Sequence, residues 1–144
     1  MSAEENKTIF RRYVEEVSNE GNLDLVDEIF ARYVSHQPDG HTEERGPEDV
    51  KRFIGEFHRA FPDFHCTIED QIAEGDKVAT RWTIRGTHQG EFRGIAPTGK
   101  QITVTGIGIF RFSEGKVVES WDNFDQLGMM QQLDAIPQPG QAGS

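Results

Sequence analysis

At Phe64 the spacing of apolar residues changes from a helical period to a strand period, and that switch constrains the chain more than any other feature. Before it, Ile9, Phe10, Tyr13, Val14 and Val17 share one helical face. After it, Phe64, Cys66, Ile68 and Ile72 alternate with His65, Thr67, Glu69 and Gln71. Val78, Thr80, Trp82 and Ile84 alternate in the same way with Ala79, Arg81, Thr83 and Arg85. Helices first and long strands afterwards predict an α+β fold, with the helices packed on one face of a largely antiparallel sheet.

Punctuation residues divide these two halves. Ser2 with Glu5 three positions on is a capping box, and Gly21 suits the left-handed end of the first helix. Asn22 is placed to cap a shorter helix whose apolar face is Leu25, Val26, Ile29 and Phe30. A short strand over residues 33–36 then turns at Pro38-Asp39-Gly40. Gly46-Pro47 opens a third helix carrying Val50, Phe53, Ile54, Phe57 and Phe61, which Pro62 stops. Strands follow over residues 102–112 and 117–125, joined by a hairpin at Ser113-Glu114-Gly115-Lys116, and residues 126–133 form a terminal helix. Residues 1–135 read as one domain and 136–144 as a flexible, Pro- and Gly-containing tail.

The last hairpin carries a register expectation. A two-residue turn at Glu114-Gly115 sets Phe112 opposite Val117, Phe110 opposite Glu119, Gly108 opposite Trp121 and Gly106 opposite Asn123. Glu119, Trp121, Asn123 and Asp125 then share one face, and Asp122 lies on the other, solvated or interfacial. Two glycines across from larger residues make room there for a pocket.

Composition narrows the partners. Fifteen Lys and Arg against 25 Asp and Glu leave a charge of −10, which excludes a nucleic-acid groove or an anionic membrane as the main partner. Cys66 is the single cysteine, so no intrachain disulfide and no Cys-rich zinc site is expected. His36, His41, His58, His65 and His88 show no metal-ligand spacing, so no metal is expected either. No apolar run approaches the ~20 residues of a membrane span, and the N-terminus lacks a secretory hydrophobic stretch, which predicts a cytoplasmic protein.

Longer segments carry a resemblance. Arg81-Trp82, Gly86-Thr87-His88-Gln89-Gly90-Glu91-Phe92-Arg93-Gly94 and Pro97-Thr98-Gly99 occur in that order. They are followed by Phe110-Arg111-Phe112-Ser113-Glu114-Gly115-Lys116, Glu119-Ser120-Trp121, Asp125-Gln126-Leu127-Gly128 and Gln132-Leu133. Together they make the chain similar to the SnoaL-like polyketide cyclases, or ester cyclases, over roughly residues 6–133. The resemblance implies a nuclear transport factor 2-like cone, in which a curved sheet wraps helices around an apolar pocket. It implies an intramolecular aldol closure with neither metal nor organic cofactor, and a homodimer. It also implies one aspartate acid/base near the end of the last strand, best matched by Asp125. A polar partner, often histidine, accompanies that aspartate in the family, whereas residues 103–112 contain no histidine.

Aldol closure needs a base for a proton next to a carbonyl, and burial among apolar groups raises a carboxylate's pKa enough for that work. Asp125 lies among Trp121, Phe124, Leu127 and Met129 and is the expected acid/base, although capping the 126–133 helix is an ordinary use of such an aspartate. His88 and Asn123 are expected to orient the ligand, with His36 as a second histidine at the pocket, and Trp82 and Trp121 to stack on an apolar, polycyclic or ester-bearing substrate. A tyrosine donor would fall to Tyr13 or Tyr33, which the sequence does not place. The alternative reading is a non-catalytic binding or dimerisation module of the same fold.

Overall fold

Ser2 starts helix α1 (Ala3–Arg12) through the reciprocal contact its spacing to Glu5 predicts. The Glu5 N–H donates to Ser2 Oγ at 3.1 Å, and the Ser2 N–H donates to the Glu5 carboxylate at 3.2 Å. The computed structural model describes residues 2–135, so the tail expected at 136–144 lies outside the described residues. At Tyr13 the helix widens into a π-helix, Tyr13–Asn19, that no sequence signal announces. Gly21, at φ +75°, ends it as expected.

The second helix is shorter than its pattern suggests. A 3-10 turn, Leu23–Leu25, leads into α2 (Val26–Ile29), and Asn22 makes no side-chain capping bond. Phe30, expected on the helix face, instead begins strand β1 (Phe30–His36), because pairing with Val117 draws it into the sheet. Strand β2 (Thr42–Arg45), which no alternation predicts, folds back on β1 through the turn at Gly40. Helix α3 (Pro47–Ala60) starts where expected, with the Asp49 carboxylate accepting the Gly46 N–H at 2.8 Å. Val50, Ile54, Phe57 and Phe61 are buried, but Phe53 is exposed rather than core.

Strands β3 (His65–Glu74), β4 (Lys77–Thr87), β5 (Gln101–Ser113) and β6 (Lys116–Phe124) complete a six-stranded sheet, and α4 (Gln126–Gln132) follows. The order is β2-β1-β6-β5-β4-β3, and every neighbouring pair is antiparallel except β1 with β6. The fold is therefore α+β, four helices on a mixed sheet, as the change of period predicts. Two side-chain amides fasten helical segments to strand ends. Asn19 exchanges bonds of 2.9 and 2.7 Å with the Cys66 backbone on edge strand β3, and Gln132 does the same at 2.9 and 2.7 Å with Thr103 on β5.

The expected β5–β6 register holds only at the turn. Ser113 pairs with Lys116 and Phe112 with Val117, but the next pair is Arg111 with Glu119, so Val118 is an extra residue. A one-residue bulge flips the side chains beyond it. Gly108 thus faces Asp122, Gly106 faces Phe124, and Trp121 and Asn123 sit opposite Ile109 and Ile107. Burial follows the corrected register, since Ile102, Val104, Phe110 and Phe112 are buried while Ile107 and Ile109 are exposed. The inner face of β6 is Ser120, Asp122 and Phe124, and the outer face is Glu119, Trp121 and Asn123.

The glycines do make room, for residues other than those expected. A Cβ at position 106 would lie 2.2 Å from the Trp82 indole, and one at 108 would lie 2.5 Å from Asp122 Oδ1 and 2.7 Å from the Phe110 ring. Gly106→Ala is expected to lower the unfolding free energy by about 1–3 kcal/mol through overpacking. In urea titrations, Trp82→Leu in the same chain should recover most of that loss.

Candidate active site

The inner face of the sheet is apolar except for a few groups, and Asp122 is the one carboxylate that β6 turns inward. Its side chain lies over the bare backbone of Gly108. Protein crowds the carboxyl, yet the residue is half-buried and not sealed in the core. Desolvation pushes its pKa up to about 6, and the positive charge of Arg45 offsets only part of that rise. Among the described residues Asp122 has no hydrogen-bond or ion-pair partner.

Two tyrosines stand within electrostatic reach of this carboxylate. Tyr13, at the start of the π-helix, and Tyr33, on β1, both have phenols raised by burial, and the charge of Asp122 raises each further. Tyr33 is opposite Arg45 across β1–β2, and the Arg45 guanidinium offsets part of the rise in its phenol. Trp82, Ile84 and Phe124 face inward and are likewise half-buried, with the Trp82 and Phe124 rings 6.4 Å apart. These half-buried side chains share the inner face with Asp122, and Tyr13, Tyr33 and Arg45 are polar groups within its electrostatic reach. A surface hollow of about 370 Å³ bounded by Glu4, Glu5, Thr8 and Ile9 lies on the solvent side of α1 and contains none of these groups. Among the described residues no three His, Cys, Asp or Glu side chains converge as metal ligands.

The residues singled out from the sequence divide between the two sides of the sheet. Asp125 is exposed and caps α4, its Oδ1 accepting the Gly128 N–H at 2.9 Å. The Val118 bulge, absent from the expected register, brings Asp122 to the interior in its place. His36, Trp121 and Asn123 lie on the outer face. There the His36 ring stacks on Trp121 at 4.8 Å and 3°, and its Nε2 is 2.7 Å from Glu119. Glu119 also accepts from Arg111 at 2.9 Å, and the two contacts, His36 first, hold its carboxyl below the usual range.

Trp82 faces inward and is half-buried, with its indole over Gly106. His88 is fully buried, away from any pocket mouth. Its Nδ1 accepts the Thr98 N–H at 3.2 Å and lies 3.0 Å from Thr98 Oγ1, while Nε2 has no partner and Phe61 packs at 5.4 Å. Sequence reasoning missed Asp122, Tyr13, Tyr33 and Arg45 as a group. One available signal was a tyrosine, in place of an aliphatic residue, three positions after Phe10 on the apolar stripe of α1.

Comparison with known proteins agrees with this architecture. The family model for SnoaL-like polyketide cyclases matches residues 8–133. The aklanonic acid methyl ester cyclase AcmA of Streptomyces galilaeus is 31% identical over 124 residues, 85% of this chain and 86% of its own. AclR, a candidate hydroxylase from the same organism, superposes with a TM-score of 0.82 at 30% identity, covering 95% of this chain and 85% of that one. IdmH of Streptomyces antibioticus, a candidate polyketide cyclase, does so with a TM-score of 0.76 at 31% identity, covering 90% and 98%.

The raised Asp122 pKa fixes a sign for stability. A carboxyl that titrates near 6 when folded and near 3.8 when unfolded is penalised in the folded state once it ionises. Its contribution is therefore best below pH 4, worsens as pH rises through 4 to 6, and is constant above. Chemical denaturation across pH should show Asp122→Asn gaining on the parent through that window, to at most about 3 kcal/mol at neutral pH.

Proposed function

The chain belongs to the SnoaL-like polyketide cyclase family, and from that premise we propose that it is a cofactor-independent cyclase with Asp122 as its acid/base. The observation that carries the proposal is the inward, desolvated carboxyl of Asp122 over Gly108. A group titrating near 6 is largely ionised at neutral pH, is a stronger base than a free carboxylate, and can return the proton it takes. Asp122 removes a proton from carbon next to a carbonyl, and the electron pair moves onto that carbonyl oxygen. The resulting enolate carbon attacks a second carbonyl of the same molecule, forming the ring C–C bond. The new alkoxide then takes the proton back from Asp122, so the product is an isomer of the substrate.

Trp82 and Phe124 suit a flat, apolar substrate, polycyclic or ester-bearing. The cyclase relative's methyl ester substrate supports that class and supplies a first probe. Gly108 offers Asp122 no side-chain partner, which is the specific point in favour of the alternative, a pocket that binds without turnover. Incubation with aklanonic acid methyl ester, read by chromatography for a product of unchanged mass, separates the two. Asp122→Asn should lower turnover by about 10²–10⁴-fold. Asp125→Asn should stay within a few-fold, with at most about 1 kcal/mol of lost capping. Equal turnover in parent and Asp122→Asn overturns the acid/base assignment, and tight binding with no product in the parent favours the binding module. Where turnover occurs, kcat/KM should rise through about pH 6 as Asp122 ionises.

We also propose that the outer sheet face joins two copies of the chain. Val34, Ile72, Ile107 and Ile109 are exposed there, beside Arg111 and Lys77 and the acidic Asp76 and Glu119. Apolar residues flanked by both charge signs suit a self-complementary twofold contact. Sedimentation should show a dimer that Ile107→Asp with Ile109→Asp converts to monomer. A monomeric parent at high concentration would falsify this.

A further inference from the structure

Asp122 accounts for the proton but not for the oxygen that becomes negative when the proton leaves. Among apolar side chains that charge needs a donor, and Gly108 has no side chain to supply one. Tyr13 has both the chemistry and the position. Its ring packs edge-on against Phe30 at 5.0 Å and against Phe10 at 5.5 Å. Phe10 in turn lies 4.3 Å from Phe110, whose ring edge shares with Asp122 Oδ1 the space above Gly108. Phenol and carboxylate are thus linked through the Phe10 and Phe110 rings, and the phenol lies within reach of the carboxylate's charge. Neither has a hydrogen-bond partner among the described residues. Both residues are half-buried, and neither polar group is among the fully buried atoms left without a partner, so a donor and an acceptor that solvent still reaches are open to a ligand that bonds to both.

Tyr33 differs because Arg45, its cross-strand neighbour on β2, already sets a positive charge beside its phenol. His88 differs because its open Nε2–H sits fully buried beside Phe61, in the second apolar cluster away from Asp122. The π-helix begins at Tyr13 itself, and such widened turns recur at functional sites.

We propose that Tyr13 is a catalytic residue that donates its O–H to the carbonyl oxygen of an enolisable ligand while Asp122 takes the proton from the adjacent carbon. The C–H electron pair becomes the C=C bond of the enolate, the former carbonyl pair moves to oxygen, and the Tyr13 proton stays on the phenol as a hydrogen bond. Burial and the nearby carboxylate both disfavour the phenolate, so Tyr13 remains a donor at neutral pH. The assignment rests on the reading of Asp122 as the base.

Substituted 2-naphthols of graded acidity are flat, fluorescent mimics of the enolate and test the donor without a known substrate. Asp122→Asn removes the charge that repels a naphtholate, and this variant should bind the series about 10-fold more tightly than the parent. Tyr13→Phe in that background keeps the ring contacts with Phe10 and Phe30. It should weaken binding roughly 10- to 100-fold and abolish the gain in affinity with naphthol acidity. Tyr33→Phe should change affinity less than the Tyr13 variant does. A packing role for Tyr13 would shift the melting temperature but leave the acidity dependence intact, and that result overturns the proposal. If Asp122→Asn alters binding and Tyr13→Phe does not, the donor assignment falls while the base stands. If neither variant alters binding, or the parent binds no naphthol, both readings fall.

Discussion

The inward placement of Asp122 depends on one extra residue in one strand. Val118 sits where β5 and β6 have just left their turn, and every side chain of β6 beyond it changes sides. The bulge turns Asp122 and Phe124 inward and Trp121 and Asn123 outward. Glycine on the facing strand completes the arrangement, because any Cβ at 108 would occupy the place of the carboxylate. Bulge and glycine act as a pair: the first aims the acid at the interior, and the second leaves it somewhere to stand.

This arrangement has a thermodynamic direction. A carboxyl kept among aromatic rings is held closer to neutrality than it would be in water, and the folded chain is less stable for it at neutral pH. The outer face shows the opposite balance. Glu119 is held between His36 and Arg111, its charge favoured and its position set by ordinary ion pairs. Two carboxylates three residues apart on one strand are thus shifted in opposite directions, Glu119 toward its charged form and Asp122 toward its neutral one.

Much of the architecture was legible because it follows from local rules. The Ser2–Glu5 box, Gly21, Pro47 and the switch of period at Phe64 mark helices and strands that the structure contains. Failures came where long-range pairing competes with local preference. Phe30 continues the apolar stripe of α2 but is taken by β6, and β2 has no alternation of its own because it forms only on the template of β1. The site was least legible of all. Parity along β6 hangs on a bulge without a glycine or proline to announce it, so a single residue decides that Asp122 faces inward. Tyr13 was on the page as part of a helical stripe, but its nearness to Asp122 arises only when α1 is laid across the sheet.

The two amide clamps bear on how such a site can work at all. Asn19 ends the helical segment that carries Tyr13, and Gln132 ends the helix that closes over β5; each grips a strand backbone in the manner of a peptide group. Neither amide titrates, and neither bond depends on counter-ions. The frame is therefore fastened by groups indifferent to proton concentration and ionic strength, while the acid it encloses can gain and lose its charge. A change of charge at Asp122 leaves both amide joints with the same donors and acceptors, so its cost to the fold does not come from undoing them.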